Sequence, residues 1–589
     1  MNFLPSTRCF TAPFVSSQPL ANAGASRDAY NRRMSKENVN SMLKAVELVL
    51  ASSGPLPPEV QTALETLLNI VEILTQENKS LKNEVERLGK LLEEKKRAKT
   101  TTGDEAKKND HSSDDRRKRR SPKQGPAIRQ SIKALTINQE VECPVDPSTL
   151  PPDAVRLRNE SVDVQDIVIR PHNIRFLQHV YYSAKERKYF RGPLPHGYDV
   201  GDFGADLRSL ILSLKYCGNM SEPKIREFLE NFDVEISAGS VSNILTKTAD
   251  RFEQEFDDLF LAGLNSTAYQ QTDDTSARVA GEFWHTHILC NPYYAAYFTK
   301  PTRDRFAVLE VLQNRWDSRF LLNQTTRDLL RSDFIVPQKW HRRLEELGDV
   351  QYDQSEMDQL LHDWFKTGNG QLRVSIAHAA AIVSYRQQSS VPVIQTLVCD
   401  DAPQFKLLTE KLALCWIHEG RHYERLTPVV QRHAELLETF VERFWDYYSS
   451  LQDYRAGPSE ERAVELRREF DELTSTRTGY KALDDRIATT AGNKSGLLTV
   501  LSMPTVPLHN NASELLARVS ARRRDVSLHS KSARGARSMD IFTSIVQTCK
   551  KLGVSAYKFL RDRLQGQNEF PSLAEMIDEA SQPSNLAVC

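Results

Sequence analysis

Two superposed seven-residue periods mark the first strongly patterned stretch of the chain. Leu64, Val71, Asn78, Val85 and Leu92 form one, and Leu67, Leu74, Leu81 and Leu88 form the other. Apolar residues at a and d positions over about four heptads predict a coiled coil across residues 59–98. Asn78 falls at an a position, where a buried polar pair specifies a parallel two-stranded register, and Glu77 (g) and Lys82 (e) can pair across a dimer. On this reading Leu67, Val71, Leu74, Asn78, Leu81, Val85 and Leu88 are dimerisation residues. A solitary amphipathic helix packed on the body would show the same stripe.

Residues 99–136 lose the apolar pattern and carry the run "RRKRR" at 116–120. They read as a basic disordered linker, whose run either touches phosphates without sequence preference or is simply solvated. A Pro-rich lead-in follows at 143–156. Within a small region at 137–202, "SVDVQDIVI" (161–169) and "KYFRGPLPHGY" (188–198) alternate as short strands. Residues 203–262 turn helical. Pro223 sits in a first turn ahead of Ile225, Phe228 and Leu229, "NFDVEIS" makes a turn, and Ser237 can cap "AGSVSNILTKTAD". This is a helix-turn-helix pattern, in which Ser240, Ser242, Asn243 and Lys247 would be offered to DNA. Plain helix packing uses the same geometry.

From Thr267 the texture becomes β. "TAYQQTDDTSARV", "GEFWHTHILCN" and "YYAAYFTKP" predict a three-stranded meander with Asp273 and Asp274 on its first strand. Helical sequence fills about 303–388. "VPVIQTLVCDD" is a further strand ending in Asp400 and Asp401. A helical stretch at about 429–500, broken at "AGPSEE", precedes "PLHNNASELLARVSARRR", where Glu514 stands beside Ser513 near a helix start. Residues 566–589 read as a C-terminal tail. Acids from two strands and a helix can converge on two divalent cations, because Mg²⁺ prefers carboxylate oxygens and paired ions suit phosphoryl displacement. Adjacent strand residues face opposite sides, so one acid of each Asp-Asp pair points at such a site.

Composition narrows the class. Among 589 residues, 78 basic and 78 acidic side chains cancel, so any nucleic-acid contact comes from local patches. Eight cysteines without a CxxC pair fit a reduced, intracellular (cytoplasmic) protein. No apolar run reaches membrane-helix length. The first 33 residues are poor in acids, as in a transit peptide, but a disordered leader (1–58 with a short helix) or a true start at Met34 is the plainer reading.

Cys415, His418 and His422 have C-x2-H-x3-H spacing. Structural zinc takes four N or S ligands and no fourth is near in sequence, so zinc is not expected. Cys415 and Trp416 read as core-facing. His418, Arg421 and His422 read as approaching DNA phosphate or bracing the acids. Arg518, Arg522, Arg523, Arg524, Lys531, Arg534 and Arg537 face one acid, Asp525, over twenty residues, which suggests a phosphate path. Asn510 and Asn511 would position a phosphate or cap the Glu514 helix. His285 and His287 read as structural.

"TDDTSARV", "LVCDDAPQF", "CWIHEGRHY" and "LHNNASELLAR" with "RRRDVSLHSKSARGAR" and "TCKKLGVSAYKFLRDRL" resemble, in order, the blocks of insertion-sequence-sixty-six family transposases. These blocks span about 265–565. The resemblance implies an α+β multidomain protein. It would have an N-terminal coiled coil, a helical helix-turn-helix region and a ribonuclease-H-like catalytic core (263–565) with helical insertions. It implies that Asp273, Asp400 and Glu514 are the catalytic, metal-binding triad for two Mg²⁺ (or Mn²⁺) ions. The activity implied is DNA cleavage at element ends followed by strand transfer from a 3′-hydroxyl, with DNA, a homodimer or larger assembly, and accessory transposition proteins as partners. Two departures stand out. The stretch before Asp400 is long, and the paired cysteines common in relatives are reduced to Cys143. A non-catalytic DNA-binding regulator and a nuclease without strand transfer are the alternatives.

Overall fold

The computed structural model describes residues 57–97 and 136–582, apart from 152, 157, 159, 196, 199–202, 366, 367 and 369. The leader, Met34 and the "RRKRR" run lie outside the described residues. Helix α1 (Pro58–Arg97) is followed by a hairpin, β1 (Val180–Ser183) and β2 (Lys188–Arg191), and by α2 (Ala205–Tyr216), α3 (Glu222–Glu230), α4 (Ala238–Lys247) and α5 (Glu253–Asn265). Strands β3 (Tyr269–Val279), β4 (Glu282–Cys290) and β5 (Ala295–Lys300) form the meander. Next come α6 (Arg305–Leu312), β6 (Phe320–Leu322), α7 (Gln324–Ser332), α8 (Gln338–Leu347), β7 (Val350–Tyr352), α9 (Gln354–Trp364) and α10 (Gly370–Gln387). Strands β8 (Thr396–Cys399) and β9 (Lys411–Leu414) lead into α11 (Trp416–Glu424). Helices α12 (Gln431–Ala456), α13 (Glu460–Thr474), α14 (Lys481–Gly492) and α15 (Lys494–Leu497) precede α16 (Asn511–Ser527), α17 (Ala533–Lys551), α18 (Ala556–Gln565) and α19 (Leu573–Ser581).

The central sheet runs β5-β4-β3-β8-β9. Its first three strands are antiparallel, and β8 and β9 run parallel to β3. Ala280 and Gly281 both take positive φ between β3 and β4 (51° and 87°), as a tight hairpin turn requires. One sheet face carries Leu289, Ala296 and Phe298 into a core that reaches from Ala205 to Ile577 and includes α2–α5, α10 and α17–α19. The other face carries Ile288, Cys290, Ala295 and Tyr297 against Leu516 and Ala517 of α16. A second core joins Trp416 and Tyr423 of α11 to α12, α13 and α14. The fold is therefore a mixed α+β architecture in which helical segments interrupt the strand order.

Several expectations meet specific outcomes. Pro223 lies in the first turn of α3, and Ser237 caps α4 by accepting the N–H of Ser240. No strand forms at 161–169; with no partner strand beside it, the segment is irregular and leaves Val162, Val164, Ile167 and Val168 exposed. The strand expected in 188–198 is confined to β2, which pairs with β1. The segment expected as a tail includes α19, whose Leu573 and Ile577 are fully buried.

Helix α1 packs on the body through residues off its leucine seam. Leu68 is buried. The buried Glu72 carboxylate accepts the N–H groups of Val429 and Val430 (2.7 and 3.0 Å) and meets His433 at 3.2 Å. Asn69 donates to the Gly479 carbonyl (2.8 Å) and accepts from Lys481 N (2.9 Å). Leu67, Leu74, Leu81, Val85 and Leu88 remain exposed, while Val71 is half-buried. Glu72→Ala removes an acceptor from two backbone donors, a loss on the order of 3 kcal/mol. Hydrogen exchange over the first turns of α1 is expected to accelerate roughly a hundredfold in this variant. Unchanged exchange would show that the contact does not hold the helix.

Candidate active site

Strand register brings the acids to one face. β3 and β8 pair as Tyr269 with Thr396, Gln270 with Leu397 and Gln271 with Val398. Carried two residues further, the same register sets Asp273 level with Asp400. The alternation then assigns sides. Asp273 stands opposite Ile288, whose side chain packs with Leu516 and Ala517 of α16. Asp400 has the parity of Val398, which packs with Tyr269 and Val506 on that same side. Asp274 stands opposite His287 and has Arg303 at 4.0 Å. Asp401 has His422 at 3.6 Å.

Helix α16 delivers Glu514 to the same face. Ser513 donates to the carbonyl of Thr272, next to Asp273 (3.2 Å). Cys415 N bonds to the Cys399 carbonyl (3.0 Å), Trp416 N to the Leu508 carbonyl (2.9 Å), and Asn510 N donates to the Cys415 thiol (3.5 Å). The end of β9, the end of β8 and the start of α16 are thus stitched together around Asp400 and Glu514. Burial pushes the Asp273 carboxyl up to about 7, and the charges of Asp274, Glu514 and Asp400 push the same way against one N–H bond from Asp274. Burial also raises Asp400, opposed by the Ala402 N–H and by His418.

The C-W-x-H-E-G-R-H-Y block divides its faces. Trp416, Glu419, Gly420 and Tyr423 turn toward the helices α12–α14, where Glu419 bonds Arg486 and Thr490. His418 and Arg421 turn to Glu514, at 3.6 and 3.4 Å. The C-x2-H-x3-H residues, from which no zinc site was expected, do not share one helix face. Cys415 is the residue before the helix, and His422 meets Asp401. Among the described residues, the ligand-type group whose atoms lie within 4.8 Å of one another is Cys415, His418 and Glu514. The carboxylates of Asp273, Asp400 and Glu514 are not gathered that tightly, though the charges of Asp400 and Glu514 are near enough to act on Asp273.

The remaining expected residues separate. Asn510 takes the N-cap position but makes no side-chain cap bond and is buried, whereas Asn511 is exposed. Arg518, Arg522 and Lys531 are exposed. Arg523 is corrected to a core residue: it is buried, donates to Thr543 (2.5 Å) and lies over the Tyr216 ring. Arg524 binds Ser276 and Thr275, Arg534 pairs with Asp250 (2.5 Å) and Arg537 with Glu253 (2.6 Å). Arg524 and Arg537 are committed to part-buried contacts, whereas the Arg534–Asp250 pair lies in solvent. On α4, Asn243 and Lys247 are exposed, Ser240 is tied to Ser237 (2.9 Å), and Ser242 is half-buried. His287 bonds the Thr302 carbonyl (3.0 Å), a structural role. The sequence reading missed strand β9, the Ser513–Thr272 contact and Arg303. Only the alternating apolar character of "KLAL" signalled the first, and nothing local signalled the others.

No helix among the described residues is long and apolar enough to cross a membrane. Residues 375–538, which contain Asp400, the C-W-x-H block and Glu514, match the family described as Transposase IS66 family. The uncharacterized protein y4jO of Sinorhizobium fredii (strain NBRC 101917 / NGR234) is 30% identical over 308 residues, covering 51% of this chain and 94% of that protein. The matched block contains β8, β9 and α16, the elements that deliver two of the three gathered acids, and on this ground the chain belongs to the Transposase IS66 family.

Proposed function

We propose that the chain is a DNA transposase that cleaves at element ends and joins the freed 3′-hydroxyl to target DNA. Asp273, Asp400 and Glu514 are its catalytic acids, in a ribonuclease-H-like core formed by the five-stranded sheet and α16. The observation that carries this reading is the shared face of the three acids, drawn from two strands and a helix 241 residues apart in their Ser513–Thr272 contact. Burial raises Asp273 and Asp400, and the charges of Glu514 and Asp400 push Asp273 further the same way; divalent cations such as Mg²⁺ or Mn²⁺ would offset that charge. Two such ions would supply activation of the attacking oxygen and stabilisation of the leaving one.

The chain's own residues do the positioning. Arg421 and His418 hold the Glu514 carboxylate, and Arg421, partly exposed, can meet a phosphate. Asp274 and Asp401 turn to Arg303 and His422. Arg518, Arg522 and Lys531 offer a phosphate track on and just beyond α16, and Asn243 and Lys247 offer polar contacts from the helix-turn-helix region. The exposed seam Leu67, Leu74, Leu81, Val85 and Leu88, with Asn78, supports pairing of two copies through a coiled coil.

Incubation with terminal-repeat DNA and a target plasmid in Mg²⁺ tests the reading. Joined products are expected. Cleavage without joining would replace it with a nuclease, and binding without cleavage with a regulator.

Metal affinity should depend on pH. With Asp273 pushed up to about 7 from an ordinary 3.8, the folded protein holds a proton there between those values while the unfolded chain has lost it. The contribution of this group to stability is therefore present at low pH and is lost as pH rises toward 7. A cation must displace that proton below pH 7, so thermal stabilisation by Mg²⁺ should need about fivefold more ion at pH 6 than at pH 7. Asp273→Asn should flatten the dependence, as thermal shifts across a Mg²⁺ titration would report.

A further inference from the structure

The hairpin β1–β2 plays no part in the site above. Its register sets Tyr182 opposite Tyr189 on one face and Tyr181 opposite Phe190 on the other. The four side chains are 57%, 61%, 68% and 43% exposed. A two-stranded ribbon has no interior, and rings of this size on both of its faces are an unusual expense of apolar surface to water. Tyr182 and Tyr189 lie with centroids 4.8 Å apart and together present a broad aromatic surface, and Lys188 Nζ stands 5.5 Å from the Phe190 ring centroid on the other face. Lys185, Arg187, Lys188 and Arg191 are interleaved with these rings against one acid, Glu186. All four cations are exposed and make no ion pair among the described residues.

Alternating flat rings and cations match a polyanion that carries flat rings of its own. An acidic protein segment would satisfy the charges and leave the rings in water, whereas unstacked bases would cover the rings while phosphates meet the cations. Duplex DNA buries its base faces and offers the hairpin phosphates alone. We propose that the β1–β2 hairpin is a binding ribbon for DNA with unpaired bases. Bases stack on Tyr181, Tyr182, Tyr189 and Phe190, and Lys185, Arg187, Lys188 and Arg191 take the phosphates. The transposase reading enters only as the source of such a strand, since cutting and joining expose one at element ends.

Fluorescence anisotropy of the full chain with a labelled single-stranded oligonucleotide and with its duplex tests this. The paired variants Tyr182→Ala/Tyr189→Ala and Tyr181→Ala/Phe190→Ala should each weaken single-strand binding by about tenfold or more and duplex binding by less than about twofold. Lys185→Gln/Arg187→Gln/Lys188→Gln should weaken both and shallow the salt dependence of each. Circular dichroism and exchange protection of the central sheet should match the wild type in all three. Single-strand affinity unchanged in the aromatic variants would overturn the proposal, and so would an equal loss for both forms of DNA. Joining assayed on the same proteins separates the two readings. A wild-type chain that never joins DNA, yet loses single-strand binding with the rings, leaves the ribbon standing and removes the transposase. Active joining with ring variants that bind normally does the reverse.

Discussion

Asp273→Asn, Asp400→Asn and Glu514→Gln are each expected to reduce cleavage and joining by roughly a thousandfold or more, the scale of several kcal/mol of lost charge stabilisation. The fold should survive all three. Asp273 is a desolvated acid among acids, so replacing it with a neutral amide relieves repulsion; the metal-free Asp273→Asn protein should melt at or above the wild-type temperature at pH 8. Loss of activity together with retained or increased stability separates a chemical role from a structural one. The neighbours give the sharper control. Asp274 faces His287 and Arg303, and Asp401 faces His422, so Asp274→Asn and Asp401→Asn should keep activity within about tenfold. A loss in Asp401→Asn as deep as in Asp400→Asn would mean that the β8 alternation does not continue past Cys399. Assays of end cleavage and plasmid joining at saturating Mg²⁺ decide between these outcomes.

What the sequence made legible was local. The meander at 269–300, the acid-tipped strand at 396–399 and the Glu514 helix all carry strong period or capping signals, and the structure has elements at each. What stayed hidden depends on partners far along the chain. The basic run after Glu514 looks uniform, yet Arg523 is spent on Thr543 and Tyr216, and Arg534 and Arg537 on Asp250 and Glu253. A run of like charges in sequence says nothing about which members meet acids placed beside them by folding. Glu72 and Asn69 fall outside the a and d positions, where a heptad reading leaves them to solvent, but they dock α1 through hydrogen bonds to residues more than three hundred positions away. The Cys415–His418–Glu514 group was unreadable for the same reason: spacing within one block suggested His422 as the third member, and the third member is on another helix.

Trp416→Ala is expected to cost about 3–5 kcal/mol, because the ring is fully buried and a void there has few ways to collapse. Its neighbours are themselves large rings: Phe444 at 5.3 Å, Tyr447 at 5.5 Å and Phe470 at 6.2 Å between centroids, on two different helices. The indole N–H donates to the Leu497 carbonyl (2.9 Å), so truncation also strands a buried acceptor. Trp416→Phe keeps much of the volume but not the donor and should lose less, about 1–2 kcal/mol. Gly420, one turn on, tests the packing from the other side, since a Cβ there would stand 2.4 Å from Trp445 Cζ2; Gly420→Ala should cost about 1–3 kcal/mol by overpacking. The slowest exchanging amides of α12 report these losses directly. Activity should fall with them, because α11 holds Trp416 toward the helical insertion and His418 and Arg421 toward Glu514. A Trp416→Ala protein that keeps α12 protected to within about 1 kcal/mol would mean that the insertion is held by the rest of its aromatic core, and that α11 owes its alignment to the Cys415 and Leu508 backbone bonds alone.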